Sequence, residues 1–132
     1  MPLQAGVNSH LSRYLENPLH AAFISFLGGF LLIIIVCVAT QSFFPSVQKI
    51  NKVPFYLFFG GLLGVIFVIT TIILAPKLGA TVLISCLITG QLTASIVLDH
   101  YGMLGFPVHQ ASIARITGVL FLITGVVLVK TF

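Results

Sequence analysis

Two acidic side chains, Glu16 and Asp99, and six basic ones make up all the formal charge on this sequence of 132 residues. Polar chemistry therefore has few places to reside, and the densest is the stretch from Thr81 to Asp99. It carries Thr81, Ser85, Thr89, Gln91, Thr93 and Ser95 before the carboxylate. On a helix Asp99 lies almost above Thr81, with Gln91 and Ser95 on one side of that line and Ser85 and Thr89 on the other. Hydroxyls can bond back to their own helix, so serine and threonine alone say little. The Gln91 amide needs an external donor and acceptor. One broad polar face of this kind serves either as glue between helices or as the lining of a path for a polar solute.

Asp99 falls near the C-terminus of its helix, where a carboxylate is electrostatically unfavourable. Arg115 opens the next apolar stretch at the same depth, so an Asp99–Arg115 pair is expected. His100 and His109 flank the same connection and read as polar loop residues, because their spacing matches no metal motif. Glu16 stands next to Arg13. A surface pair is the plain reading, and a coupling carboxylate for proton-linked export is the functional one. No acid lies at mid-span, which weakens a simple proton antiporter. No convergent nucleophile, base or metal cluster is apparent, so no catalytic residue, metal or cofactor is assigned and an enzyme is not expected.

The elements that must position these groups follow from composition. Apolar residues make up 58% of the chain and charged ones 6%, against about 45–50% and about 25% in soluble domains. A soluble domain of this size is mostly surface and could not hide the excess. Four stretches reach the roughly 20 residues that cross a hydrocarbon core: 19–40, 55–75, 78–98 and 112–129. Their continuous apolar runs argue for helices over the alternating pattern of a barrel. Pro45 and Pro54 bracket a polar connection holding Lys49 and Lys52. Pro76-Lys77-Leu78-Gly79 reads as a tight turn, and Asp99 to Pro107 as a loop. The N-terminal segment 1–16 is a half-helix with Leu3, Val7, Leu11 and Tyr14 on one side and Gln4, Asn8 and Ser12 on the other. At about 21 Å from Leu3 to Glu16 it is too short to cross. It either lies on the surface or belongs to a truncated fifth span. The expected fold is an all-α polytopic membrane protein, a single transmembrane domain over 1–132 with four full spans and a short N-terminal helix.

Small residues recur within the spans. Gly60 and Gly64 share a face, Gly28 and Gly29 adjoin, Ala114 and Gly118 are four apart, and Gly125 follows. Close helix packing, within the chain or between subunits, is the expected role. Cys37 and Cys86 sit in apolar runs and read as packing residues. The basic excess forms no patch for nucleic acid, and attraction to lipid head groups accounts for it.

Several segments together resemble the YdcZ-like small inner-membrane proteins of bacteria, in the drug/metabolite transporter superfamily. They are PLQAGVNSHL (2–11), NPLHAAFISFLGG (17–29), FGGLLGV (59–65), KLGATVL (77–83), TGQLTASIVLDHYG (89–102) and ARITGVLFLITGVVLV (114–129). The resemblance implies five-helix units, sometimes paired or fused, a multi-pass place in the bacterial inner membrane, and export of an unspecified small molecule. Gln4, Asn8, Gln91, Asp99, Gly102 and Arg115 carry the family pattern. The apolar lead-in to the first span is missing ahead of Pro2.

The function expected is a transporter or exporter subunit of the drug/metabolite type, working as a homodimer or with a paired homologous subunit. Asn8, Gln91, Asp99 and Arg115 are the candidates for substrate path or gate. The alternative is a non-transporting scaffold or accessory subunit using the same glycines and polar face to hold a larger partner. Orientation is finely balanced. Arg13, Lys77 and Lys130 fall on one side of the bilayer and Lys49, Lys52 and Arg115 on the other, so the positive-inside rule gives almost no instruction. Paired cytoplasmic and periplasmic activity reporters after Phe132 should both show substantial activity if the chain inserts both ways. Activity from one reporter alone rules out equal dual insertion.

Overall fold

The computed structural model describes residues 2–42 and 45–132. Met1, counted above with the N-terminal half-helix, lies outside them. The described residues form six α-helices and no strand: α1 (Pro2–Tyr14), α2 (Pro18–Ala39), α3 (Val47–Ile50), α4 (Phe59–Leu78), α5 (Ala80–Tyr101) and α6 (Ile113–Thr131). A 3-10 turn, Phe55–Phe58, leads into α4. The fold class expected from the sequence holds. Four helical segments, Pro18–Ala39, Phe55–Leu78, Ala80–Tyr101 and Ile113–Thr131, are long and apolar enough to cross a membrane, and α1 is the short N-terminal one. The chain falls into two compact units, one of Leu3–Pro76 and one that holds Lys77–Phe132.

In the first unit α1 has 13 residues, about 20 Å at the standard rise. Its buried residues are Ala5, Asn8 and Ser9, while Leu3, Val7 and Tyr14 point outward. This inverts the arrangement of a water-soluble amphipathic helix. Small and polar side chains face protein, and large apolar ones face out, which suits a helix surrounded by lipid. Asn8 Nδ2 donates to Ser25 Oγ on α2 at 3.1 Å. Ser25 lies seven residues into α2, about 10 Å from its start, within a helix long and apolar enough to cross a membrane. Of the apolar stripe only Leu11 turns inward. With Leu15, Val68 and Ile69 it packs on a small core of Ala21, Ala22 and Ile72.

The turn between α1 and α2 is short. Glu16 takes a left-handed φ of 51°, and Asn17 caps α2 by accepting from the Leu19 N–H at 2.8 Å, with Pro18 in the first helical position. That cap satisfies an otherwise orphan donor, and proline there loses no bond. Glu16 and Arg13 do not form the surface pair expected of them: the ion pair among the described residues is elsewhere.

In the second unit α5 and α6 pack against each other. Two boundaries differ from the sequence expectation. α4 runs through Pro76 to Leu78, so the break falls on Gly79 alone, at φ 77°. Pro76 sits in the last turn, where its missing N–H costs one bond and only Lys77 and Leu78 follow it in the helix. α5 runs to Tyr101, so Asp99 is inside its last turn and not in a loop. The stop is Gly102, left-handed at φ 61°, whose N–H returns to the Asp99 and Leu98 carbonyls. This is the usual glycine termination of a helix.

Gly102 is held on two counts. A Cβ there would lie 2.6 Å from Val108 Cγ2 as well as facing the left-handed backbone. Gly105, at φ 83°, would meet nothing within 4 Å. Gly105→Ala should therefore cost only the backbone penalty, about 1–2 kcal/mol. Gly102→Ala should cost more, and Gly102→Ala with Val108→Ala should recover the difference. Thermal midpoints of the purified variants in one detergent check the ranking.

Candidate functional site

Asp99 and Arg115 meet where α5 ends and α6 begins. Arg115 Nη1 donates to Asp99 Oδ2 at 3.2 Å, and the two side chains are 38% and 27% exposed respectively. The connection between the helices is tied to this point. The His109 N–H donates to the Asp99 carbonyl at 2.9 Å, and Arg115 Nη1 also reaches the His109 carbonyl at 3.5 Å. His100 Nδ1 accepts from the Ala111 N–H at 3.1 Å. The two histidines thus do structural work: His109 through its backbone, His100 through a ring nitrogen that must be unprotonated to accept. Ser112 caps α6 by accepting from the Arg115 N–H at 3.3 Å.

The polarity of the pair opposes both helices. Asp99 lies in the last turn of α5 and Arg115 in the first turn of α6. A helix C-terminus favours a cation and an N-terminus an anion, each by about 0.3–1 kcal/mol. Stability alone would choose the reverse arrangement. The two charges compensate each other, and neither is in the place that a helix end would select.

The pair heads an open-sided cleft of about 350 Å³ between α5 and α6, lined by Leu92, Ser95, Ile96, Asp99, Arg115, Gly118, Val119 and Leu122. That volume is at the small end of the range for ligand pockets, about 300–1,000 Å³. A second cleft of about 260 Å³ continues along the same two helices, lined by Ser85, Ile88, Thr89, Phe121, Leu122, Gly125, Val126 and Val129. Leu122 belongs to both. The walls are apolar apart from the pair and a few hydroxyls, and Thr89 Oγ1 is spent on the Ser85 carbonyl at 2.9 Å.

The other sequence candidates fall elsewhere. Gln91 is exposed at the middle of α5 and lines neither cleft, and its side chain makes no hydrogen bond among the described residues of its unit. Asn8 is buried against Ser25 in the first unit. Ala114 is exposed at the start of α6. A Cβ at Gly28, Gly29, Gly60, Gly64, Gly118 or Gly125 would meet no neighbouring atom within 4 Å, so none is the site of a close helix approach within its own unit. Gly118 and Gly125 instead form part of the cleft walls. Sequence reasoning missed Ser25 and the apolar wall residues. The wall could have been found by continuing the Asp99 face down α5 at steps of three and four, through Ser95, Leu92, Ile88 and Ser85.

The reversed polarity gives a direct test. Asp99→Asn and Arg115→Gln should each destabilise the chain by leaving the partner charge uncompensated. The exchange Asp99→Arg with Arg115→Asp restores a pair and aligns it with both helix ends. It should be at least as stable as the natural chain, by up to about 1 kcal/mol. Denaturant titration in mixed micelles checks this, and an exchange no better than the singles would show that the contact contributes nothing.

A family model described as "Putative inner membrane exporter, YdcZ" matches residues 1–128. No curated protein and no solved structure matches the chain.

Proposed function

The chain belongs to the YdcZ family and is a multi-pass inner membrane protein, and from that premise we propose that it is a subunit of a small-molecule exporter of the drug/metabolite type, with the Asp99–Arg115 pair as the polar end of its substrate site. The observation that carries this is the pair itself: a charged contact, oriented against both helix dipoles, at the head of an open cleft. Charge that costs stability within a membrane domain is expected where it meets a solute. A substrate group that exchanges contacts with the pair would loosen the tie between the ends of α5 and α6. Alternation between closed and open forms of that tie is the gating step.

A second subunit completes the site in this reading. Gln91 stands at the centre of α5, and lipid offers its amide neither donor nor acceptor. A neighbouring subunit, either another copy or a paired homologue, supplies them. Gly28, Gly29, Gly60 and Gly64 are open at Cβ and suit close approach by its helices. Asn8 holds α1 in place beside α2, so its contribution to the path is positional.

The test compares small molecules released by cells that carry the natural chain, no chain, Asp99→Asn, Arg115→Gln, or the charge exchange. Equal insertion of every variant is verified by membrane immunoblot. Release of at least one compound should depend on the natural chain and fall at least tenfold in all three variants, the stable exchange included. Release that survives in the exchange and both singles would remove the pair from the site. Loss of a larger complex with no change in any compound would favour the scaffold role.

A further inference from the structure

The cleft below Asp99 and Arg115 is the head of a groove. From Asp99 to Ser85 the two clefts extend over 14 residues of α5, about 21 Å, with Leu122 shared between them. One end is an ion pair near the helix termini, and the rest is apolar wall open to one side. Such a groove fits a molecule with one polar head and one chain.

The head can be read from the unused valences of the pair. Arg115 engages Asp99 and the His109 carbonyl through Nη1, which leaves Nε and Nη2 as free donors in a fork suited to a phosphate. Asp99 uses Oδ2 and leaves Oδ1 to accept from an ammonium. The pair has no net charge. A head of one sign would satisfy one member and strand the other at a helix end that disfavours it. A head carrying both signs side by side engages both members and keeps the local charge at zero.

We propose that the α5–α6 groove binds a single-chain membrane amphiphile with a zwitterionic ammonium–phosphate head, the phosphate on Arg115, the ammonium on Asp99 and the chain along Leu92, Leu122 and Val126. This names the substrate class of the exporter reading above and rests on it. The ligand enters sideways from the leaflet, because the groove is open along its length. Gly118 decides the width of the upper cleft. A side chain there meets no protein atom at Cβ and projects into the space the chain occupies.

The probe is a lysophosphatidylethanolamine with a diazirine midway along its acyl chain, added to the full-length protein in phosphatidylcholine vesicles. Two probes with the same chain, one with a phosphate head and one with a trimethylammonium head, serve as comparisons. The zwitterion should label α5 and α6 near Leu92 and Leu122 at least fivefold more than either comparison. Arg115→Gln and Gly118→Leu should each reduce that labelling at least fivefold, the second without touching the charges. Albumin extraction should show protein-dependent movement of the zwitterion across the vesicle membrane. Equal labelling by all three heads overturns the proposal, as does labelling without movement. A chain-to-chain crosslink from a photoreactive residue at Leu122 in place of lipid labelling also overturns it, and assigns the groove to a second copy. If the zwitterion fails while release of another compound still depends on Asp99 and Arg115, the substrate class falls and the exporter reading stands. If no compound's release depends on them, the exporter reading falls as well.

Discussion

Hydrocarbon offers no hydrogen-bond partner, and nearly every feature of this chain is an answer to that fact. The backbone answers with helices. Threonines answer by turning back on their own helix: Thr71 donates to the Val68 carbonyl, Thr93 to Thr89, Thr117 to Ile113 and Thr124 to Leu120. Side chains that cannot turn back must find each other, as Asn8 finds Ser25 and Arg115 finds Asp99. The Gln91 side chain has neither option among the described residues of its own unit. Apolar burial contributes little by comparison. The core of the first unit is two alanines and an isoleucine, and side chains such as Phe23, Leu32, Ile33 and Phe121 face outward.

The charge pair runs against the preference of both helix ends. A designer seeking a robust hairpin would place the cation at the end of α5 and the anion at the start of α6. The chain does the opposite, then invests the surrounding backbone in holding the result. The carbonyls of Asp99 and His109, the His100 ring and the Ser112 hydroxyl all fix the geometry of the connection. Local rules that fail in an otherwise consistent sequence tend to mark sites under a different demand.

The legibility of these features in the sequence follows their range. The four spans were plain because membrane thickness imposes a length and lipid imposes a composition. The Asp99–Arg115 contact could be expected because both residues sit at span ends joined by a short connection. The end of α5 was harder. Asp99 looked like the start of a loop, yet the helix stops only where Gly102 can turn left-handed, and periodicity does not see that. The Leu3, Val7, Leu11, Tyr14 stripe on α1 invites burial by the logic of soluble proteins. In lipid the logic inverts, and the small face of Ala5, Asn8 and Ser9 turns inward. Ser25 and the cleft walls were hidden for a further reason: they depend on which helices meet, and no single segment records that.

The inward polar face of α1 also has a consequence in time. Asn8 leaves the ribosome 17 residues ahead of the Ser25 hydroxyl that receives it. At about 5–20 residues per second, that gap lasts on the order of one to three seconds. During it the Asn8 carboxamide has no Ser25 hydroxyl to donate to, and only water, head groups or the translocation channel can satisfy it. The bond closes when α2 arrives, so the helix that carries the acceptor sets the moment at which the helix that carries the donor settles beside it.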